Sequence, residues 1–412
     1  MSWKPEYLFL IMITTFVSFY GAKLIERSDG RRKVHMAACL IVNLGILFVF
    51  KYFNFFSGIL AGTNGGFFEL KVLLPVGISF YTFQTISYVI DVYRKKIKTE
   101  DDIVYFALYV SFFPQLVAGP IERASNLLPQ LKTAHDFDYE RIKNGIGTML
   151  FGFFKKIVIA DRAAVIVDKA FGGYADMPSL NIAVSVLLFG IQIYCDFSGY
   201  SDIAVGSAKI IGIDLMRNFE RPYFSRSIGE FWKRWHISLS SWFMDYVYIP
   251  MGGNRKGILR TRLNLLGTFI ISGLWHGANF TFIIWGAVHG LFLVFEKMLF
   301  DIKRRGILWV LPTYFLTNAA WVLFRADDLS TAMNIYGRIF GSGLSFSIRA
   351  FGLSTYQLTI MAASIVVLFI HSLIKENGLR IRLLEKSGYA LAMFAIVFFG
   401  YFSSQEFIYF RF

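Results

Sequence analysis

The feature that most narrows the folds open to this chain is a succession of apolar runs, each of about twenty residues, set apart by short basic connections. Such runs lie at residues 7–25, 36–60, 72–92 and 103–118, and again near 307–324, 356–374 and 388–402. A helix of that length crosses a hydrocarbon layer of about 30 Å, and a backbone inside the layer must satisfy its own hydrogen bonds. The mean hydropathy of +0.52, with 55% hydrophobic and 17% charged residues, leaves more apolar surface than a water-soluble globule can hide. The expected fold is therefore all-α: one polytopic membrane domain over residues 1–412, with about ten or eleven transmembrane helices. Re-entrant or interfacial segments are expected around a central tunnel.

Charge is lopsided, with 42 Lys and Arg against 28 Asp and Glu in 412 residues, a net +14. Arg27, Arg31, Arg32 and Lys33 fill the first connection, and Arg94, Lys95, Lys96 and Lys98 the third, while residues 61–71 between them are Gly-rich and nearly neutral. That alternation places the odd connections on the cytoplasmic side and favours anionic membrane lipid. A nucleic-acid face needs basic residues on a soluble domain, and none here is long enough, so no nucleic-acid partner is expected. Cys39 and Cys195 sit inside apolar runs and read as small buried hydrophobes, with no disulfide framework or metal pair. Met1 to Phe9 lack the basic start and cleavage site of a secretory signal, so the first run is expected to remain as a membrane segment.

Several segments break the pattern. Pro114, Gly119 and Pro120 interrupt the fourth run, and a broken backbone at membrane depth implies a surrounding of protein or a watery cavity. Residues 142–170 mix Lys155, Lys156, Asp161, Arg162, Asp168 and Lys169 with apolar positions, which suits an amphipathic helix at the interface. Within 181–211, Asp196 and Asp202 lie six residues apart, about 120° from superposition on one helix, and read as structural hydrogen-bonding groups. No repeat, phosphate loop, Gly-x-Ser-x-Gly elbow or His-Glu-x-x-His zinc helix is present, and no metal is expected.

The chain is organised around residues 230–290, which hold three of its six histidines. The stretch opens Glu230-Phe-Trp-Lys-Arg-Trp-His236, passes the polar turn Gly252-Gly-Asn-Arg-Lys-Gly257, and enters an apolar run containing Leu274-Trp-His276-Gly-Ala-Asn279. Ionisable side chains in hydrocarbon are costly and face a protein interior or wet cavity where they act, which makes His276 the candidate reaction centre. Residues 263–298 are too long for one upright span and slightly short for two, so Gly273, Gly277 and Asn279 suggest a steep tilt or a break at His276. His236 lies nearer the basic cytoplasmic edge, where catalysis and orientation of the donor or of the next helix are equally open readings. On a continuous helix His289 falls about 140° from His276 and reads as structural.

The stretch Phe231-Trp-Lys-Arg-Trp-His-Ile-Ser-Leu-Ser-Ser-Trp, the following Asp245-Tyr-Val-Tyr-Ile-Pro-Met-Gly-Gly-Asn-Arg, and Leu274-Trp-His-Gly-Ala-Asn resemble the membrane-bound O-acyltransferase family. The likeness is nearest to its bacterial alginate and polysaccharide O-acetyltransferase branch. Leu74-Pro-Val-Gly-Ile-Ser-Phe-Tyr-Thr-Phe, residues 113–120, Tyr194-Cys-Asp-Phe-Ser-Gly-Tyr-Ser-Asp and Phe407-Ile-Tyr-Phe-Arg-Phe extend it over nearly the whole chain. Members usually carry a further apolar segment ahead of the equivalent of Trp3, which this sequence does not show.

The resemblance implies acyl transfer in the bacterial cytoplasmic membrane from a cytoplasmic thioester, acetyl-CoA in this branch, to an extracytoplasmic polysaccharide such as peptidoglycan or an alginate-like polymer. It implies that His276 is catalytic, and imidazole suits that role, because a hydroxyl attacking a thioester must lose its proton near neutral pH. Residues 406–412 resemble the acyl-carrying end of the small peptide that serves the teichoic-acid D-alanylation member. Carried over, Tyr409 would hold the acetyl group as an activated phenyl ester and pass it to an SGNH-type acetyltransferase outside the membrane; the bland reading of these rings is an aromatic belt. Basic residues in 217–234 and 255–262 supply cations for the donor's phosphates without singling any one out. Two other readings remain at this stage: transfer of D-alanine or another acyl group to a cell-wall polymer, and a non-enzymatic transporter.

Overall fold

The lengths and breaks of the helices follow from where proline, glycine and paired polar residues fall. The computed structural model describes residues 7–64, 68–299, 306–376, 382–402 and 407–408, and among them every regular element is helical. Among the described residues six helices are long and apolar enough to cross a membrane: Leu8–Arg27, Arg32–Ala61, Ser179–Ile210, Phe280–Met298, Ile307–Arg325 and Thr355–Ile374. The chain is a multi-pass membrane protein. Other apolar runs become shorter helices. The run at 72–92 is helical only over Ile78–Tyr93, because Pro75 precedes it and Gly77 enters with φ 79°. A Cβ at Gly77 would meet the Leu116 carbonyl oxygen, so only glycine allows that approach. The run at 103–118 is helical over Ile103–Ser111 and stops before Pro114, which opens a single further turn, Phe113–Leu116.

The chain divides into two compact units, Met1–Gly145 with Ser207–Met216, and Ile146–Gly206 with Arg217–Phe412. In the first, helices Leu8–Arg27, Arg32–Leu47 and Ile78–Tyr93 share a buried polar thread. Asn43 donates to the Ser18 hydroxyl at 3.2 Å and accepts from Thr85 at 3.4 Å, so three apolar helices are registered by side chains that have no water to turn to. The broken segment after Ser111 is satisfied locally: Glu122, buried, accepts from the Asn126 amide at 2.8 Å and from the Met216 backbone.

The second unit begins with a helical stretch that turns out differently from an interfacial amphipathic helix. Its charged side faces protein. Tyr139–Phe153 passes through a wide turn, Phe154–Ala160, into Asp161–Gly172, and Lys155, Asp161 and Arg162 are buried. Polar residues on one face here meet polar partners on the helix Ser179–Ile210 in place of water. That helix runs unbroken for 32 residues, and the same unit contains the helices Gly257–His276, Phe280–Leu299 and Val310–Arg325. Its core is dominated by rings, with Trp235, Trp285, Trp321, Phe189, Phe197, Phe231 and Phe324 almost wholly enclosed.

Candidate active site

The sequence left open whether residues 263–298 tilt or break; they break. Helix Gly257–His276 ends at the histidine itself, Gly277 is extended, and a new helix starts at Phe280. Asn279 accepts from the Thr281 backbone N–H at 3.1 Å, capping the second helix. The two helices lie against each other backbone to backbone. A Cβ at Gly273 would strike the Phe282 carbonyl, and one at Gly286 the Phe269 carbonyl. Small residues therefore let the hairpin close, and His276 is carried at its bend, at the C-terminal end of the first helix.

His276 is 5% exposed. Its ring stands edge-on to Trp285 at 5.1 Å and to Phe324 at 5.2 Å, and Trp275 lies 4.9 Å away. The break also revises the angular argument for His289. The two histidines are on different helices, and both touch one indole, since Trp285 is 5.0 Å from His289. His289 Nδ1 accepts from Trp232 Nε1 at 3.3 Å, which places the proton of the neutral ring on Nε2, inside the aromatic cage. A fully enclosed imidazole held by an indole fits the structural role read from the sequence.

His236 is not at an edge. It is 0% exposed, and burial pushes its pKa down to about 3, so the ring is neutral at physiological pH. It stands 4.6 Å from Phe197, 6.4 Å from Phe219 and 6.4 Å from Trp275. Its backbone is left-handed, φ 43° and ψ 55°, at the start of the helix Ile237–Phe243. A non-glycine residue holds that conformation only where its surroundings impose it. Asn218 does so: its carbonyl accepts from the Ile237 N–H at 2.8 Å, its side chain accepts from Ser238 at 2.6 Å, and its amide donates to Ser201 on the long helix at 3.1 Å.

A line of rings therefore runs from His289 through Trp285, His276 and Trp275 to His236 and on to Phe197. Phe197 lies 6.2 Å from Phe407, which also packs on Tyr200 at 5.0 Å. Phe407 and Ile408 are both buried. The segment 406–412 is thus placed two rings from His236 at its described positions; Tyr409, the expected acyl carrier, lies outside the described residues. The Ile408 N–H donates to Asp196 Oδ2 at 2.8 Å.

The aspartates six apart on the long helix each take one of two adjacent lysines. Lys155 Nζ lies 2.7 Å from Asp202 and donates to Ser198 at 2.9 Å, while Lys156 bridges Asp196 and Asp161 at 2.7 Å each. Burial lifts the Asp161 carboxyl to about 6 in spite of the lysine beside it. Among the described residues no group of His, Cys, Asp or Glu is arranged to hold a metal ion.

Two of the candidate donor-side arginines are already engaged. Glu376 receives a fork from Arg234 at 3.1 and 3.0 Å and the Arg221 Nε at 2.9 Å. Arg217, Arg226, Lys233, Arg255, Lys256 and Arg260 remain exposed. Arg221 also borders a small pocket, about 10 Å³ in volume, with Tyr194, Tyr223 and Ser372. Sequence reasoning missed Asn218 and the Trp285–Phe324 wall. Asn218 sits in an ordinary polar loop and carries no signal, whereas the density of tryptophan around 232–285 is visible without showing which rings meet.

The membrane-bound O-acyltransferase family model matches residues 94–306. A probable alginate O-acetylase of Pseudomonas putida is 41% identical, over 83% of this chain and 72% of its own. A peptidoglycan O-acetyltransferase of Helicobacter pylori is 35% identical over 81% of this chain and 70% of its own, and a teichoic acid D-alanyltransferase of Bacillus subtilis is 27% identical over 54% and 60%. With His276 and His289 on a helical hairpin in a multi-pass membrane unit, this chain belongs to the membrane-bound O-acyltransferase family and is an O-acyltransferase.

Proposed function

We propose that the protein moves an acetyl group from acetyl-CoA on the cytoplasmic face of a bacterial inner membrane to an extracytoplasmic polysaccharide, with His276 as general base and the phenol of Tyr409 as the first acceptor. The observation that carries this reading is the ring line joining His276 and His236 to Phe407. It links the candidate base, through Trp275, His236 and Phe197, to Phe407, two positions before Tyr409 in the sequence. In the first step the phenol oxygen attacks the thioester carbonyl, its proton passes to His276, the C–S bond breaks, and the thiol leaves with a proton. In the second, a hydroxyl of the polymer, or of an SGNH-type acetyltransferase that relays to it, attacks the phenyl ester and the phenol is restored. His236, neutral and fixed by Asn218, orients the rings between base and acceptor. Exposed cations such as Arg217 and Arg255 meet the donor's phosphates. Because His276 is nearly closed over, the thioester reaches it by displacing part of the aromatic wall.

Acetate is favoured over D-alanine by the higher identity and coverage of the O-acetylating relatives. The test uses inverted membrane vesicles carrying the full chain, given acetyl-CoA labelled in its acetyl group. Label on Tyr409 in the wild type, none in Tyr409→Phe, and none in His276→Ala is the expected pattern. Polymer acetylation that persists in Tyr409→Phe rejects the carrier step and leaves His276 as base for direct transfer. Label arriving from D-alanine instead of acetate replaces the cargo.

A further inference from the structure

The group of charges around Lys156 has a property that a purely structural ion cluster does not need: one of its carboxylates holds main chain from a distant part of the sequence. We infer that Asp196, oriented by Lys156, is a positioning residue that anchors the chain at Phe407 and Ile408, and that acyl transfer depends on this anchorage. The inference rests on the carrier reading above for its purpose, but the anchor itself is a separate physical claim.

Three observations converge on it. Asp196 Oδ2 accepts the Ile408 N–H at 2.8 Å across 212 residues of sequence, while Oδ1 faces Lys156 Nζ at 2.7 Å. Asp196 is 3% exposed and Ile408 3% exposed, so neither group has water as an alternative partner. The chain at Phe399 and Tyr401 is held by the wide turn that supplies Lys156 and by the helix that follows it. The Tyr401 N–H donates to the Ile157 carbonyl at 3.0 Å, and Arg162 donates to the Phe399 carbonyl at 2.7 Å. A carboxylate accepting a backbone N–H in a low-dielectric interior makes a stronger bond than a neutral acceptor.

The arrangement also supplies its own control. Lys156 has two carboxylate partners, Asp161 and Asp196, and among the described residues of the 399–408 run the side-chain bond to Ile408 comes from Asp196. Removing Asp196 leaves the lysine paired with Asp161, so no lone charge is stranded. Removing Asp161 leaves it paired with Asp196 and leaves the Ile408 bond in place. A cluster that merely supports the helices responds to both losses alike; an anchor responds to one.

The experiment compares Asp196→Ala, Asp196→Asn and Asp161→Asn in the full chain, reconstituted in nanodiscs, by two readouts. Hydrogen–deuterium exchange of the peptide spanning 400–412 is expected to quicken by about ten- to a hundred-fold at its protected amides in Asp196→Ala, the loss of one charge-assisted bond. It is expected to be restored in large part in Asp196→Asn, whose amide oxygen still accepts, and to be unchanged in Asp161→Asn. Acetyl transfer is expected to lose turnover in Asp196→Ala at unchanged KM for acetyl-CoA. Unchanged exchange in Asp196→Ala, or equal quickening in Asp196→Ala and Asp161→Asn, overturns the anchor. If exchange behaves as expected but Tyr409→Phe keeps full polymer acetylation, the anchor stands and the carrier reading is the one that fails.

Discussion

Two buried regions of the same unit solve opposite problems. Around His276 and His289 the polar groups are imidazoles and indoles, and the walls are rings. Around Lys155 and Lys156, which face Asp196 and Asp202 on the long helix, the polar groups carry full charges in complementary pairs. The first region encloses its imidazoles in aromatic packing at a helical hairpin. The second uses charge where position is needed, because a carboxylate that has already been neutralised by a lysine can still accept a backbone N–H. The difference teaches that the buried polar residues of this unit divide by surroundings, with imidazoles enclosed by rings and charged side chains enclosed by ion pairs.

The largest effect that tests this division is on activity. His276→Ala is expected to lower acyl transfer by about 10²- to 10⁴-fold, the usual contribution of general acid–base catalysis, with little change in the melting temperature of the detergent-solubilised protein. A large loss of stability with it would mean that the ring is packing and not base. Next comes the charged region. Asp202→Ala strands Lys155, whose side chain is 4% exposed, and is expected to cost about 3–5 kcal/mol in unfolding titrations. Lys155→Met is expected to cost less, because Asp202 is 33% exposed and can reach water. Equal costs would show that the pair is solvated in the membrane and would erase the contrast. In the aromatic region, Trp232→Phe removes the one donor to His289 Nδ1 that the described residues show and is expected to cost about 1–3 kcal/mol for a buried acceptor left without it.

Much of this is legible in the sequence, for reasons that differ by element. The helices Leu8–Arg27 and Arg32–Ala61 follow directly from apolar length, and the break at His276 is foreshadowed by Gly273, Gly277 and Asn279, residues whose effects act locally. What lies out of reach are outcomes set by partners far away in the chain. The charged face of 142–170 reads as a surface for water because its carboxylate partners sit on another helix. His236 reads as peripheral because its neighbours in sequence are basic, whereas its neighbours in space are Phe197, Phe219 and Trp275. For His289, the angle from His276 assumes a continuous helix that the chain does not form.

The smallest effect belongs to the ion pairs that are neither enclosed nor beside the ring line. Glu376 lies just beyond the apolar helix Thr355–Ile374, with its side chain 24% exposed and those of Arg234 and Arg221 20% and 23% exposed. Burial raises its carboxyl pKa, but the fork from Arg234 and the charge of Arg221 outweigh that and hold it below the ordinary glutamate value. A depressed pKa means that the folded protein binds this proton less readily than the unfolded chain does. The contribution to stability is therefore complete above the unfolded value of about 4.3 and is lost as the pH falls through the lower folded value. Partly exposed pairs are worth about 1 kcal/mol or less. Glu376→Gln is thus expected to lower the melting temperature slightly at pH 7, with the gap from wild type closing as the pH falls below about 4. A gap that instead persisted undiminished into acid would assign Glu376 to packing, and charge would then be confined to the buried lysines.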